Sequence, residues 1–88
     1  MKMIVAILRD EDTLPVSNKM VEMGYNVTRI ASTGRFLRQG RSTLMIGLDD
    51  ESLDRAIQAI NENCSPTVEP YLRRAIVFVL NVEYYEQL

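Results

Sequence analysis

Residues 25 to 48 read Tyr25-Asn26-Val27-Thr28-Arg29-Ile30-Ala31-Ser32-Thr33-Gly34-Arg35-Phe36-Leu37-Arg38-Gln39-Gly40-Arg41-Ser42-Thr43-Leu44-Met45-Ile46-Gly47-Leu48. Both ends are strand-like. Tyr25 to Ser32 is rich in β-branched residues, and Ser42 to Leu48 is an apolar run bounded by Gly40 and Asp49. Between them, Thr33 to Arg41 carries two glycines that free the backbone and three arginines around a single aromatic ring. The stretch therefore predicts a β-hairpin with an arginine-rich tip. Guanidinium forks pair with phosphate or carboxylate, and an exposed Phe36 offers a stacking face, so the tip has the chemistry of a site for a flat, anionic, nucleotide-type ligand.

Working outward, residues 2 to 9 are apolar on both sides, the mark of a buried strand. A helix follows, with Asp12 or Thr13 as its cap, Pro15 in its first turn, Val16, Met20 and Met23 on one face, and Gly24 as its stop. After the hairpin, Asp49 or Asp50 caps a second helix in which Leu53, Ala56, Ile57 and Ile60 recur at helical spacing, ending near Asn63 or Cys64. Ser65 to Arg74, with Pro66 and Pro70, reads as a connector, and Ala75 to Val82 as a last strand. The order βαββαβ predicts a ferredoxin-like α+β sandwich, an antiparallel sheet with two helices on one face, as a single domain over residues 1 to 88. Two helices cover one face only. Residues 3 to 8, 44 to 48 and 75 to 80 are nevertheless apolar on both faces, which implies a symmetric oligomer with the open face inside.

Composition narrows the function classes. The 88 residues, 47% hydrophobic and 25% charged, fit one globular domain, and so short a chain is helped by a partner subunit. Cys64 stands alone and histidine is absent, which rules out an intramolecular disulfide and a zinc cluster of the usual ligands and suits a reducing cytoplasm. The apolar N-terminus meets Arg9-Asp10-Glu11-Asp12 too soon for a signal segment or a membrane span. Net charge is −2, yet eight of the ten basic residues are arginines and several gather around the hairpin. That local cluster suits a pocket better than a track for a nucleic-acid polymer. With no histidine, no G-x-S-x-G turn and no Walker loop, no catalytic constellation is visible and no catalytic residue is assigned.

Met1 to Ile7, Val27 to Gly34, Phe36-Leu37, Gly40, Thr43, Met45-Ile46-Gly47 and Ala75 to Leu80 together resemble the PII-like cyclic di-AMP receptor proteins of bacteria. The resemblance runs over residues 1 to 62 and resumes near Arg74. It implies a non-enzymatic homotrimer that holds one dinucleotide in each cleft between neighbouring subunits, signals to a protein partner not named by the sequence, and needs no cofactor or metal. On the same basis Thr28, Gly34, Phe36, Leu37, Gly47 and Phe78 are the positions expected to meet ligand. This chain departs from the family pattern by having Arg35 in place of a second glycine and Arg41 in place of an asparagine, so both arginines join the candidate set for cyclic di-AMP or another anionic nucleotide. It departs again in having only a short connector over residues 64 to 74.

Simpler roles stand beside these. The loop arginines suit ion pairs with a neighbouring subunit, Phe36 suits interface packing, Phe78 suits the core, Thr28 suits any strand, and the glycines suit turns. Two other classes of function remain open: an interaction module that has lost or changed its ligand, and an amino-acid-binding regulatory domain of similar strand order.

Overall fold

The computed structural model describes residues 1–30, 41–65 and 75–83. β1 (Lys2–Arg9), α1 (Asp10–Glu22), β2 (Asn26–Ile30), β3 (Arg41–Leu48), a 3-10 turn at Asp50–Ser52, α2 (Leu53–Glu62) and β4 (Ala75–Asn81) follow in that order. The strands form one antiparallel sheet in the order β2-β3-β1-β4, so the βαββαβ reading and the ferredoxin-like class hold.

Strand parity assigns the two faces. Ile4, Ala6 and Leu8 of β1, with Leu44, Ile46 and Leu48 of β3, point to the helices and are buried against Val16 and Met20 of α1 and Ala56, Ala59 and Ile60 of α2. Met3, Val5 and Ile7 alternate with them and are only half-buried, because no helix covers their side. Register puts Thr43, Met45 and Gly47, then Ile76, Phe78 and Leu80, on that same open side. Ile76, Phe78 and Leu80 are exposed, as is Ile30 at the end of β2. The open face is thus largely apolar across β1 and β4, as the two-sided strands predict, and mixed on β2 and β3, where Asn26, Thr28 and Thr43 share it with Ile30 and Met45. Phe78 is a correction: 54% exposed, it belongs to this face and not to the core. β4 is an edge strand, and nothing pairs on its outer side among the described residues.

The helix starts also differ from expectation. α1 begins at Asp10, ahead of Asp12 and Thr13, with no side-chain cap, and Pro15 falls inside the helix. Its N-terminal side chains have longer-range partners instead, described below. Its end follows the expected device. Gly24 takes φ +88, the Tyr25 amide donates to the Met20 carbonyl (3.1 Å) and the Gly24 amide to that of Val21 (2.9 Å), a Schellman closure. Asp49 precedes the 3-10 turn without capping it by its side chain, and Asp50 pairs with the N-terminal amine at 3.2 Å. In α2, Ala59 is buried where Ile57 was expected, and Ile57 is partly exposed.

Candidate functional site

Rows of paired residues cross the open face. In one, Thr28 pairs with Met45, Met45 with Val5, and Val5 with Phe78. The next row toward the N-terminal end of β1 runs Asn26, Gly47, Met3, Leu80. Thr28 and Gly47 therefore lie diagonally adjacent, and together with Met3, Asn26 and Met45 they line a shallow depression of about 250 Å³. A β-carbon on Gly47 would come within 3.0 Å of Cε of Met1, so the glycine keeps the backbone low beneath a flexible side chain. Asn26, Met3 and Met45 were not singled out from sequence. Their parity with Thr28 and Gly47 was the available signal, since alternate residues of a strand share a face.

The other candidates are not gathered there. Phe78 is in the same row as Thr28 but three strand spacings away, about 14 Å across the sheet, on the opposite edge. Arg41 opens β3 while Gly47 is near its end, six residues along, about 20 Å apart. Gly34, Arg35, Phe36 and Leu37 lie outside the described residues.

At the start of β3 the structure places a polar cluster built on Asp10 and Asp12, acids for which the sequence predicts only a helix-opening role. Ser42, nearly fully buried, donates its Oγ to Oδ1 of Asp10 at 2.7 Å. Asp12 is fully buried. Its Oδ2 accepts from Nε of Arg9 at 3.0 Å and pairs with Nη2 at 2.9 Å, while its Oδ1 accepts the Ser65 amide at 2.9 Å. Arg9 Nη2 also donates to the Ser65 carbonyl, and Thr13 Oγ1 to that of Arg9 at 3.0 Å. Burial alone would push the Asp12 carboxyl up, but hydrogen bonds from Ser65 and the Arg9 guanidinium outweigh it and hold the carboxyl below its ordinary value. The β1–α1 junction thus anchors both the strand leaving the arginine loop and the residue at which the α2–β4 connector begins. No grouping of acidic or cysteine side chains suited to a metal ion occurs among the described residues, and no helix among them is long and apolar enough to cross a membrane.

These features define a ferredoxin-like α+β subunit with an apolar sheet face, a polar-rimmed depression on that face, and an arginine-rich hairpin sequence. Residues 1–70 match the family model described as cyclic-di-AMP receptor, and the chain belongs to that family. Among solved structures, the crystal structure of a functionally unknown protein from Pediococcus pentosaceus ATCC 25745 is similar at 27% identity and a TM-score of 0.77, covering 99% of this chain and 96% of that one. Membership of a cyclic-di-AMP receptor family supports a ligand-sensing role.

Proposed function

We propose that this chain is a non-enzymatic sensor of cyclic di-AMP or a closely related anionic nucleotide, held in clefts between the subunits of a homotrimer and read out by a partner protein. The observation that carries this reading is the placement of Thr28 and Phe78 at opposite edges of one apolar face. A ligand touching both within one subunit would have to lie across Met45 and Val5. A rotationally related neighbour instead brings its β4 edge beside this chain's β2 edge, so that Thr28 and Gly47 of one subunit and Phe78 of the next flank a common cleft. The same packing covers Ile76, Phe78 and Leu80, which a monomer would leave in water. In sequence the arginine-rich stretch lies between β2 and β3, and in this reading Arg35 and Arg41 supply cations for phosphate and Phe36 a ring for a base.

Thermal-shift screening against cyclic di-AMP, linear nucleotides and amino acids tests the proposal, because a ligand selective for the folded state raises the melting temperature. Cyclic di-AMP or a related nucleotide is expected to give the shift. An amino acid doing so alone would point to the regulatory-domain class, and no shift from any of them to an interaction module. Phe36→Ala is expected to weaken nucleotide binding by about 1 to 3 kcal/mol, the range for base–aromatic stacking, with the unliganded melting temperature nearly unchanged. An equal loss of unliganded stability would assign Phe36 to packing instead.

The two departures from the family pattern provide a further test. With Arg35 and Arg41 serving as phosphate ligands, Arg35→Gly combined with Arg41→Asn abolishes nucleotide binding measured by calorimetry, since charge-assisted hydrogen bonds are about twice as strong as neutral ones. Tighter cyclic di-AMP binding by the double variant would show that the arginines obstruct the site.

A further inference from the structure

Leu14 and Val21 are the most exposed large hydrophobic side chains among the described residues, at 63% and 60%, above any on the open sheet face. They share one ridge of α1. Seven residues apart, they lie two turns along the same side of the helix, about 10 Å from each other, with exposed Pro15 and Asn18 between them. Thr13, Val16 and Met20 on the opposite side are buried, so this apolar pair crowns the solvent face, where an amphipathic helix ordinarily carries charge. Carboxylates frame it. Asp10 and Glu11 stand at one end and Glu22 at the other, with the Glu11 and Glu22 side chains 64% and 72% exposed. The cations nearby are off the ridge: the Arg9 side chain is 17% exposed, holds Asp12 and reaches Glu11 only at 3.6 Å, and Lys19 flanks the ridge at 3.6 Å from Glu22, so both exposed carboxylates are loosely paired.

We propose that the outer face of α1 docks a partner protein through an amphipathic segment, its apolar side chains covering Leu14 and Val21 and its flanking lysines or arginines meeting Glu11 and Glu22. Charge selects this occupant. A second copy of the chain meeting ridge to ridge would set carboxylates against carboxylates, and an anionic membrane would be repelled. The inference rests on the sensor reading in that a receptor without chemistry needs an output surface. α1 is suitably tied to the input, because Asp10, its first residue, accepts the hydroxyl of Ser42, at the start of the strand that leaves the arginine loop.

The test uses the full chain and a fluorescent model peptide of leucines and lysines in helical pattern, about eighteen residues long so that it holds a helix. Anisotropy is expected to show binding that weakens at least about tenfold in Leu14→Ser with Val21→Ser, and equally in Glu11→Lys with Glu22→Lys, each a loss of about 1.4 kcal/mol or more. Glu51→Lys with Glu83→Lys, the same change in net charge at exposed sites elsewhere, should leave affinity unchanged. Circular dichroism confirms that each variant is folded. The docking proposal is overturned by an absence of peptide binding, by equal weakening in both acid-reversed variants, or by binding that ignores Leu14 and Val21. Association of the protein with itself, or with phosphatidylglycerol vesicles, that is lost in Leu14→Ser with Val21→Ser would also overturn it, by assigning the ridge to a different occupant. A cyclic di-AMP thermal shift on the same proteins keeps the two readings apart: its absence even in the unaltered protein counts against the sensor role, while peptide binding decides the docking face.

Discussion

Ile76→Lys is expected to leave folded monomers in place of the proposed trimer, whereas Ile4→Lys is expected to abolish folding of the subunit itself. The two isoleucines look alike in sequence and lie on opposite faces of the sheet. Ile76 pairs with Ile7 on the open side and is 38% exposed in the isolated chain. Ile4 is fully buried beneath the helices. An ammonium group at position 76 stays hydrated in the monomer and loses its water only on assembly, so the penalty of several kcal/mol for an unpaired buried ion falls on the trimer alone. At position 4 the same penalty falls on every folded state, and it takes up much of the roughly 5 to 15 kcal/mol by which a domain is stable. Light scattering gives the mass and circular dichroism the fold. A trimer that survives Ile76→Lys, or an unaltered protein that is already a stable monomer at micromolar concentration, would remove the open face from the assembly and the inter-subunit cleft with it.

The second large effect is expected at Asp12. Removing its carboxylate in Asp12→Ala leaves the mostly buried Arg9 guanidinium with only the exposed Glu11 carboxylate, 3.6 Å away, as ion partner and the Ser65 amide without its acceptor, a loss of about 3 kcal/mol, the low end for breaking a buried pair. For a domain of this size that corresponds to a melting temperature lower by at least about 10 °C. The effect depends on pH. The folded carboxyl titrates below its unfolded counterpart, whose value is 3.8, so its stabilisation is fully present above that pH. It is lost as pH falls through the lower folded value. Asp12→Asn should therefore be less stable at neutral pH and show a shallower loss of stability on acidification, as measured by urea unfolding across pH 2 to 7. Parallel acid limbs for the two proteins would assign the acid sensitivity to other carboxylates.

The polar junction at Asp10, Asp12 and Ser42 also explains why the start of α1 was misplaced from sequence. Acids ahead of an apolar repeat ordinarily cap a helix, and local pattern offers no other role for them. Here the acceptor oxygens are occupied by Ser42, 32 residues away, and by Ser65, 53 residues away, so the helix opens earlier, with Arg9 at the cap position in place of Asp12 or Thr13 and without a side-chain cap. The candidate site was legible in part. Thr28 and Gly47 are named by the family resemblance, and that they share a face could be read beforehand because parity is a local property of strands. Their distance from Phe78 and Arg41 could not, since it depends on which strands become edges.

Sequence alone determined the order of elements, the position of the hairpin, the absence of a histidine-based catalytic centre and the presence of apolar residues on both sides of the central strands. Each of these follows from local chemistry: β-branching, helical spacing, glycine at Gly24 and residue type. Only the tertiary structure decided which side the helices cover, and so whether Ile4 or Ile76 is core. When both faces of a strand are apolar, alternation loses its power to tell them apart, and the choice passes to the handedness and packing of the crossover helices. For the same reason Phe78 was read as core: its neighbours in sequence are all apolar, and only its place on an edge strand, on the face the helices leave open, puts it at the surface.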